Sequence, residues 1–306
     1  MNQVKPLRSG NKIGITAPAG PVSKERLDQA VHAVKKLGFE VELGLTCFEN
    51  IGGYLAGTAR MRAQEINSMF ANPSISAIFC LRGGYGTLQL LPLLNYNLIR
   101  KNPKWFVGYS DITTLHIVLQ QICHLITIHG PMPASDLITA DDFTIKSLMT
   151  LLQNDPAYTM ANPSDEEIKC LVPGYVEGKL TGGNLSVITS TLGTPFEIDT
   201  KEKILFLEEV SEPLYKIDRM LTQLALAGKF SDAAGIVLGT WNHCQAGDDS
   251  LGLTVEQLIE QMIVPFGKPT ILNIRAGHCM PMISLPFGAT VYIDASERKC
   301  RLNQRL

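Results

Sequence analysis

Short apolar runs alternate with amphipathic segments along almost the whole chain, and this alternation restricts the fold more than any single residue does. Residues 12–19 form an apolar run ending in Pro18. After Ser23, the residues Leu27, Ala30, Val31, Val34 and Leu37 share one helical face; Gly38 ends it, and Phe39 to Leu43 resumes as a strand. This is a βαβ unit. The rhythm repeats as a helix over 59–70, a strand over 76–81, a glycine-rich turn and a short helix interrupted by Pro92. A strand over 104–109, a helix over 111–122 and a strand over 125–128 follow. Parallel strands need crossovers of this kind and helices on both faces, so the pattern predicts an α/β fold with a mostly parallel sheet.

The rhythm breaks from Asp155 to Lys179, where Pro156, Pro163 and Pro173 punctuate short extended pieces and the acidic run Asp165-Glu166-Glu167. Residues 1–155 are therefore expected to form one domain, 156–179 a crossing, and 180–306 a second, smaller α/β domain. In the latter, Gly182-Gly183-Asn184 opens a helix. A strand over 203–208, a helix over 213–227, a strand over 234–239, a helix over 254–263, a strand over 269–274 and terminal strands within 289–303 complete it.

With 306 residues, 45% hydrophobic and 18% charged, the chain can bury large cores and lacks a disordered composition. A net charge of −2 leaves no electrostatic footprint for nucleic acid. The amino terminus has no apolar signal region and no apolar stretch is long enough to span a membrane, so a soluble cytoplasmic protein is expected. Seven scattered cysteines without a Cys-x-x-Cys pair indicate reduced thiols. His243-Cys244 and His278-Cys279 make poor metal ligands, because adjacent side chains rarely converge on one ion. No metal or cofactor is expected.

The segment Lys104 to Leu119 reads as a strand, a sharp turn at Gly108-Tyr109-Ser110-Asp111, and a helix carrying Ile112, Leu115, Leu119 and Ile122 at helical spacing. A serine at such a turn projects its hydroxyl from the sheet while the first helical amides face any oxyanion formed beside it, as in a nucleophile elbow. Ile112 stands where Gly-x-Ser-x-Gly has its second glycine. Ser110 is thus a candidate nucleophile, and the competing role is a serine helix cap.

A serine nucleophile needs a base, and the base an orienting acid. Of six histidines, His32 and His116 lie within helices and read as structural. His129 follows a strand, and His278 lies in the loop after the strand over 269–274, where open α/β sheets place ligands. His278 is the stronger base candidate and His129 the second. For the acid, Ile204 to Val210 is a buried-type strand ending in Glu208 and Glu209, which alternation puts on opposite faces. Either is a candidate, and one of them has the alternative role of capping the helix that begins near Pro213. The turn Arg82-Gly-Gly-Tyr-Gly86 offers amides to an anion, or is simply a tight connection. Arg82 suits a carboxylate, of a substrate or of the protein itself. A non-catalytic nucleotide-binding protein is the alternative of another class, although Gly-x-Gly-x-x-Gly is absent.

Taken together, Gly-Tyr-Ser-Asp at 108–111, Arg-Gly-Gly-Tyr-Gly at 82–86, Leu-Glu-Glu-Val-Ser-Glu-Pro at 207–213 and Gly-His at 277–278 resemble the LD-carboxypeptidase family of serine peptidases. That family includes murein tetrapeptide carboxypeptidases and microcin C immunity hydrolases. The likeness runs from Ile-Thr-Ala-Pro-Ala-Gly at 15–20 to Leu-Pro-Phe-Gly at 285–288. It implies a Rossmann-like first domain bearing the nucleophile, a second α/β domain and a homodimer. It also implies a triad of Ser110, Glu208 and His278, and an oxyanion hole of the Gly84 and Asp111 amides. Arg82, Gly83 and Tyr85 become the residues expected to touch substrate. The implied reaction cuts the bond between the L-centre of diaminopimelate or lysine and D-alanine in peptidoglycan stem tetrapeptides. The competing implied reaction is hydrolysis of aminoacyl-adenylate analogues.

Overall fold

A computed structural model describes residues 4–155, 158–244 and 252–302. The chain divides into two compact units, the first running to Tyr158 and recovering Ser284–Gly288, the second holding Thr159–Ile283 and the stretch from Ala289. Among the described residues no helix is long and apolar enough to cross a membrane.

In the first unit, β1 (Lys12–Thr16), α1 (Lys24–Lys36) and β2 (Glu40–Leu43) make the first βαβ turn. The α1 helix forms where expected because Ser23 caps it, accepting a hydrogen bond from the Arg26 amide at 3.2 Å. Leu27, Ala30 and Val34 supply its buried stripe, and Lys35 and Lys36 sit at its negative end. Then come α2 (Ala59–Ala71), β3 (Ile75–Cys80), α3 (Tyr96–Lys101), β4 (Trp105–Gly108), α4 (Thr113–Gln121), β5 (Thr127–His129) and α5 (Asp142–Leu152). The segment interrupted by Pro92 is a 3₁₀ helix over Thr87–Leu93, since proline lacks the N–H that an α-helix uses.

The strands β2, β1, β3, β4 and β5 lie side by side in that order, all parallel. This doubly wound order reverses direction between β1 and β3, and the carboxyl ends of those two strands open the crevice where such sheets hold ligands.

The second unit contains β6 (Lys169–Val172), β7 (Tyr175–Asn184), α6 (Leu185–Thr189), β8 (Lys203–Val210), α7 (Leu214–Leu226), α8 (Lys229–Asp232), β9 (Gly235–Asn242), α9 (Val255–Ile263) and β10 (Thr270–Leu272). The chain then returns to the first unit as β11 (Leu285–Phe287), antiparallel to β5, before β12 (Thr290–Asp294) and β13 (Lys299–Leu302) close the second sheet. That sheet runs β13-β12-β7-β8-β9-β10-β6, with β7 to β10 parallel and the flanking strands antiparallel.

The stretch expected to be a crossing over 156–179 contains strand in its later part: β6 lies within it and β7 starts before its end. Gly178, Gly182 and Gly183 leave β7 without a readable side-chain alternation, and its outer half is half-exposed, which explains why it resembles a linker. Residues 156 and 157 lie outside the described residues. Gly182-Gly183-Asn184 ends β7 and opens a helix as expected, Asn184 capping the short α6.

Candidate active site

Ser110 follows β4 at a φ of 65°, the left-handed region that L-residues rarely occupy outside tight turns. A residue there cannot continue an α-helix, so the expected helix over 111–122 begins as a 3₁₀ turn, Ser110–Ile112, before α4. The capping positions fall on Tyr109 and Ile112, and neither makes a side-chain cap bond. The serine therefore stands at a strained strand-to-helix turn, a geometry that over-determination by its surroundings must maintain.

Those surroundings are visible. His116 spans from the Thr127 hydroxyl to the Gly108 carbonyl, at 2.8 Å on each ring nitrogen, and pins the end of β4. Complete burial pulls its pKa down to about 4, so the ring is neutral. Tyr109 donates to the buried Asp136 carboxylate at 3.0 Å.

The glycine turn that follows β3 packs directly on the serine. A methyl group in place of the Gly83 hydrogen would lie 2.8 Å from Ser110 Cβ and 2.9 Å from its Oγ, so only glycine fits. Asp111 joins the same turn to the elbow, accepting from the Thr87 amide at 2.9 Å while its carbonyl accepts from the Thr87 hydroxyl at 2.5 Å. Burial pushes the Asp111 carboxyl up, and the bonds from Thr87 and the charge of Arg62 pull it back.

Sequence reasoning missed Arg62. It is wholly buried and donates to the carbonyls of Gly57 at 3.1 Å, Pro18 at 2.6 Å and Gly86 at 3.0 Å, and to the Gln89 side chain at 2.9 Å. One guanidinium thus holds three loops, with burial lowering its pKa and Asp111 opposing that shift. The available signal was its place on the apolar face of α2 beside Ala63 and Ile66.

In the second unit, Glu208 is completely buried at the carboxyl end of β8. Its Oε2 accepts from His278 Nδ1 at 2.8 Å and from the His278 amide at 3.2 Å. The register with β9 shifts between Leu207 and Glu209, which is where the strand hands Glu208 to the loop carrying His278. Gly277 makes that contact possible: its φ is 103°, and a Cβ there would stand 2.6 Å from the Glu208 carboxylate. The Asn242 side chain secures the same loop through the His278 carbonyl.

Glu209 turns to the other face, as alternation requires. It accepts from Asn184 Nδ2, the Ser186 amide and the Val210 amide, each at 2.8 Å, so it closes the amino end of α6. Burial raises its pKa against those bonds. The helix that a glutamate caps is α6, and not the one near Pro213 whose start has no side-chain cap.

The other expected residues divide. His129, the second base candidate, is fully buried in β5 with its ring 5.6 Å from Tyr109 and 5.1 Å from Phe287, and is a core residue. Arg82 and Tyr85 are exposed on the glycine turn, and the Tyr85 ring lies 6.0 Å from that of Tyr54. No backbone hydrogen bond among the described residues occupies the Gly84 or Asp111 amide.

Two family models match the sequence: the LD-carboxypeptidase N-terminal domain over residues 13–130 and the LD-carboxypeptidase C-terminal domain over 177–293. A probable murein peptide carboxypeptidase of Bacillus subtilis is 42% identical across 96% of this chain and 92% of its own. A solved structure of MccF in complex with glutamyl sulfamoyl guanosine superposes with a TM-score of 0.89 at 26% identity, covering 99% of both chains. The muramoyltetrapeptide carboxypeptidase from Oxalobacter formigenes gives a TM-score of 0.81 at 28% identity, over 95% of this chain and 97% of that one.

Proposed function

This chain belongs to the LD-carboxypeptidase family, and from that premise we propose that it is a serine LD-carboxypeptidase that releases D-alanine from peptidoglycan stem tetrapeptides. The observation that carries the reading is the bond of 2.8 Å between His278 Nδ1 and a completely buried Glu208. A proton held on Nδ1 leaves the Nε2 lone pair available as a base.

In this reading Nε2 removes the Ser110 proton as Oγ attacks the carbonyl of the L-configured diaminopimelate or lysine. The Gly84 and Asp111 amides bear the oxyanion charge, and Glu208 stabilises the imidazolium. The imidazolium then gives its proton to the departing amine of D-alanine, and water repeats the sequence on the acyl-enzyme. Arg82, Gly83 and Tyr85 contact the substrate. The family resemblance extends the reading to a cytoplasmic homodimer acting in cell-wall recycling.

The test is D-alanine release from diaminopimelate- and lysine-type tetrapeptides by the wild type and by Ser110→Ala. Turnover falling by roughly four orders of magnitude or more in the variant is expected, and the peptide turned over faster reveals the preferred L-centre. The likeness to MccF supports a second reading, hydrolysis of aminoacyl-nucleotide analogues. A folded wild type that releases no D-alanine yet cleaves an aminoacyl sulfamoyl adenosine establishes that reading instead.

A further inference from the structure

Beside the nucleophile turn, the first unit contains a cavity of about 530 Å³ at the crevice between β1 and β3. Arg26 and Arg82 line it with Ser23, Asn50 and Ser135, and no carboxylate does so among the described residues. Each arginine is tethered by one nitrogen to a backbone carbonyl: Arg26 Nε to Ala134 at 2.8 Å, Arg82 Nη1 to Pro21 at 3.3 Å. Among the described residues neither guanidinium makes an ion pair with an acid. The positive end of α1, a helix of 13 residues, points its potential into the same space, with Arg26 in its first turn. Glu25 shares that first turn but does not line the cavity, so an anion in this space would be favoured by both guanidiniums and by the helix end.

The site also lies close to the chemistry. Arg82 adjoins Gly83, whose face rests on Ser110, and the Gly20 amide donates to the Gly83 carbonyl at 3.2 Å. We propose that Arg26 and Arg82 together bind the free carboxylate of the substrate's terminal D-amino acid, making this pair the reason that the enzyme cuts only at a chain end. The proposal rests on the carboxypeptidase reading above. Two planar guanidiniums held at fixed tethers suit a carboxylate, whose two oxygens accept in-plane hydrogen bonds. Sequence reasoning identifies Arg82 as a candidate; Arg26 is added by the fold, because 56 positions separate it from Arg82.

The experiment compares a tetrapeptide with its carboxyl-terminal amide. The wild type should favour the free acid by roughly 100-fold in kcat/KM, and Arg26→Gln and Arg82→Gln should each lose about 10- to 100-fold on the acid. Each variant should lose more on the acid than on the amide, narrowing the wild-type preference to about 10-fold or less, with Arg26→Lys recovering part of it. Equal losses on acid and amide, or a wild type indifferent to the two, would overturn the proposal while leaving the peptidase assignment standing.

A wild type that hydrolyses neither peptide defeats the carboxypeptidase reading, and the subsite is then read by binding alone. In NMR titrations, N-acetyl-D-alanine should bind in preference to its amide, and Arg26→Gln and Arg82→Gln should abolish that difference. Equal binding of acid and amide by the wild type would end the proposal.

Discussion

Glu208 and Glu209 are neighbours of one chemical type with different work to do, and the reason is strand geometry. Adjacent side chains on β8 point to opposite faces, so one carboxylate meets the His278 loop and the other meets the start of α6. Glu208→Gln keeps the shape but removes the charge that would stabilise an imidazolium, and offers Nδ1 an amide that can present a donor. Its kcat should fall by about 10³- to 10⁴-fold with little change in melting temperature. Glu209→Gln should do the reverse: a loss of roughly 1–3 kcal/mol in stability, because amides at the α6 end lose a charged acceptor, with kcat within about tenfold of wild type. Steady-state rates and urea unfolding on the two variants separate these outcomes. A Glu208→Gln protein of normal rate would remove Glu208 from the mechanism.

At the scale of elements, the glycine turn depends on α2 through a single side chain. Arg62→Met would leave the carbonyls of Pro18, Gly57 and Gly86 without their shared donor, at a cost of about 3–5 kcal/mol. Because Gly86 closes the turn that rests on Ser110, kcat should fall while the pH dependence of the remaining activity stays that of wild type; a shifted profile would mean that Arg62 acts directly on the titrating group. The sequence carried one signal of this dependence, the place of Arg62 on the apolar face of α2, but the carbonyls it holds belong to loops that no helical pattern encodes. The elbow was legible because its turn interrupts two periodic segments of different period, β4 and α4. Where side chains gave no period, as in the glycine-rich β7, a strand was read as a crossing. Alternation put Glu208 and Glu209 on opposite faces and only the family resemblance pointed to Glu208; which face meets the loop of His278, like the place of Arg26 at the crevice between β1 and β3, depends on contacts across distances that no local pattern encodes.

For the whole molecule, acid stability follows from what the folded chain refuses to protonate. His116 titrates at about 4 when folded, against 6.5 for an exposed histidine, because its ring is buried between Thr127 and Gly108. The unfolded chain therefore takes up a proton near pH 6.5 that the native state takes up only near 4. Stability is complete above about 6.5, falls as the pH drops through that window, and has lost about 3 kcal/mol at its lower edge. Glu197 and Asp199, held below the usual carboxylate range by hydrogen bonds and the charges of Lys229 and Lys203 against burial, release their contribution only further down. The two effects thus separate in pH, and they also separate in space: Trp105 is buried in the first unit with His116, whereas Trp241 belongs to the second. In a Trp241→Phe background, urea unfolding followed by Trp105 fluorescence should show the first unit weakening between pH 6.5 and 4, the raised carboxyl of buried Asp111 working against that loss toward the lower edge. His116→Gln, already less stable at neutral pH, should show a flatter dependence across the same interval. Parallel curves for the two proteins would mean that some other group, and not the histidine beneath the nucleophile turn, sets the acid limit of the first unit.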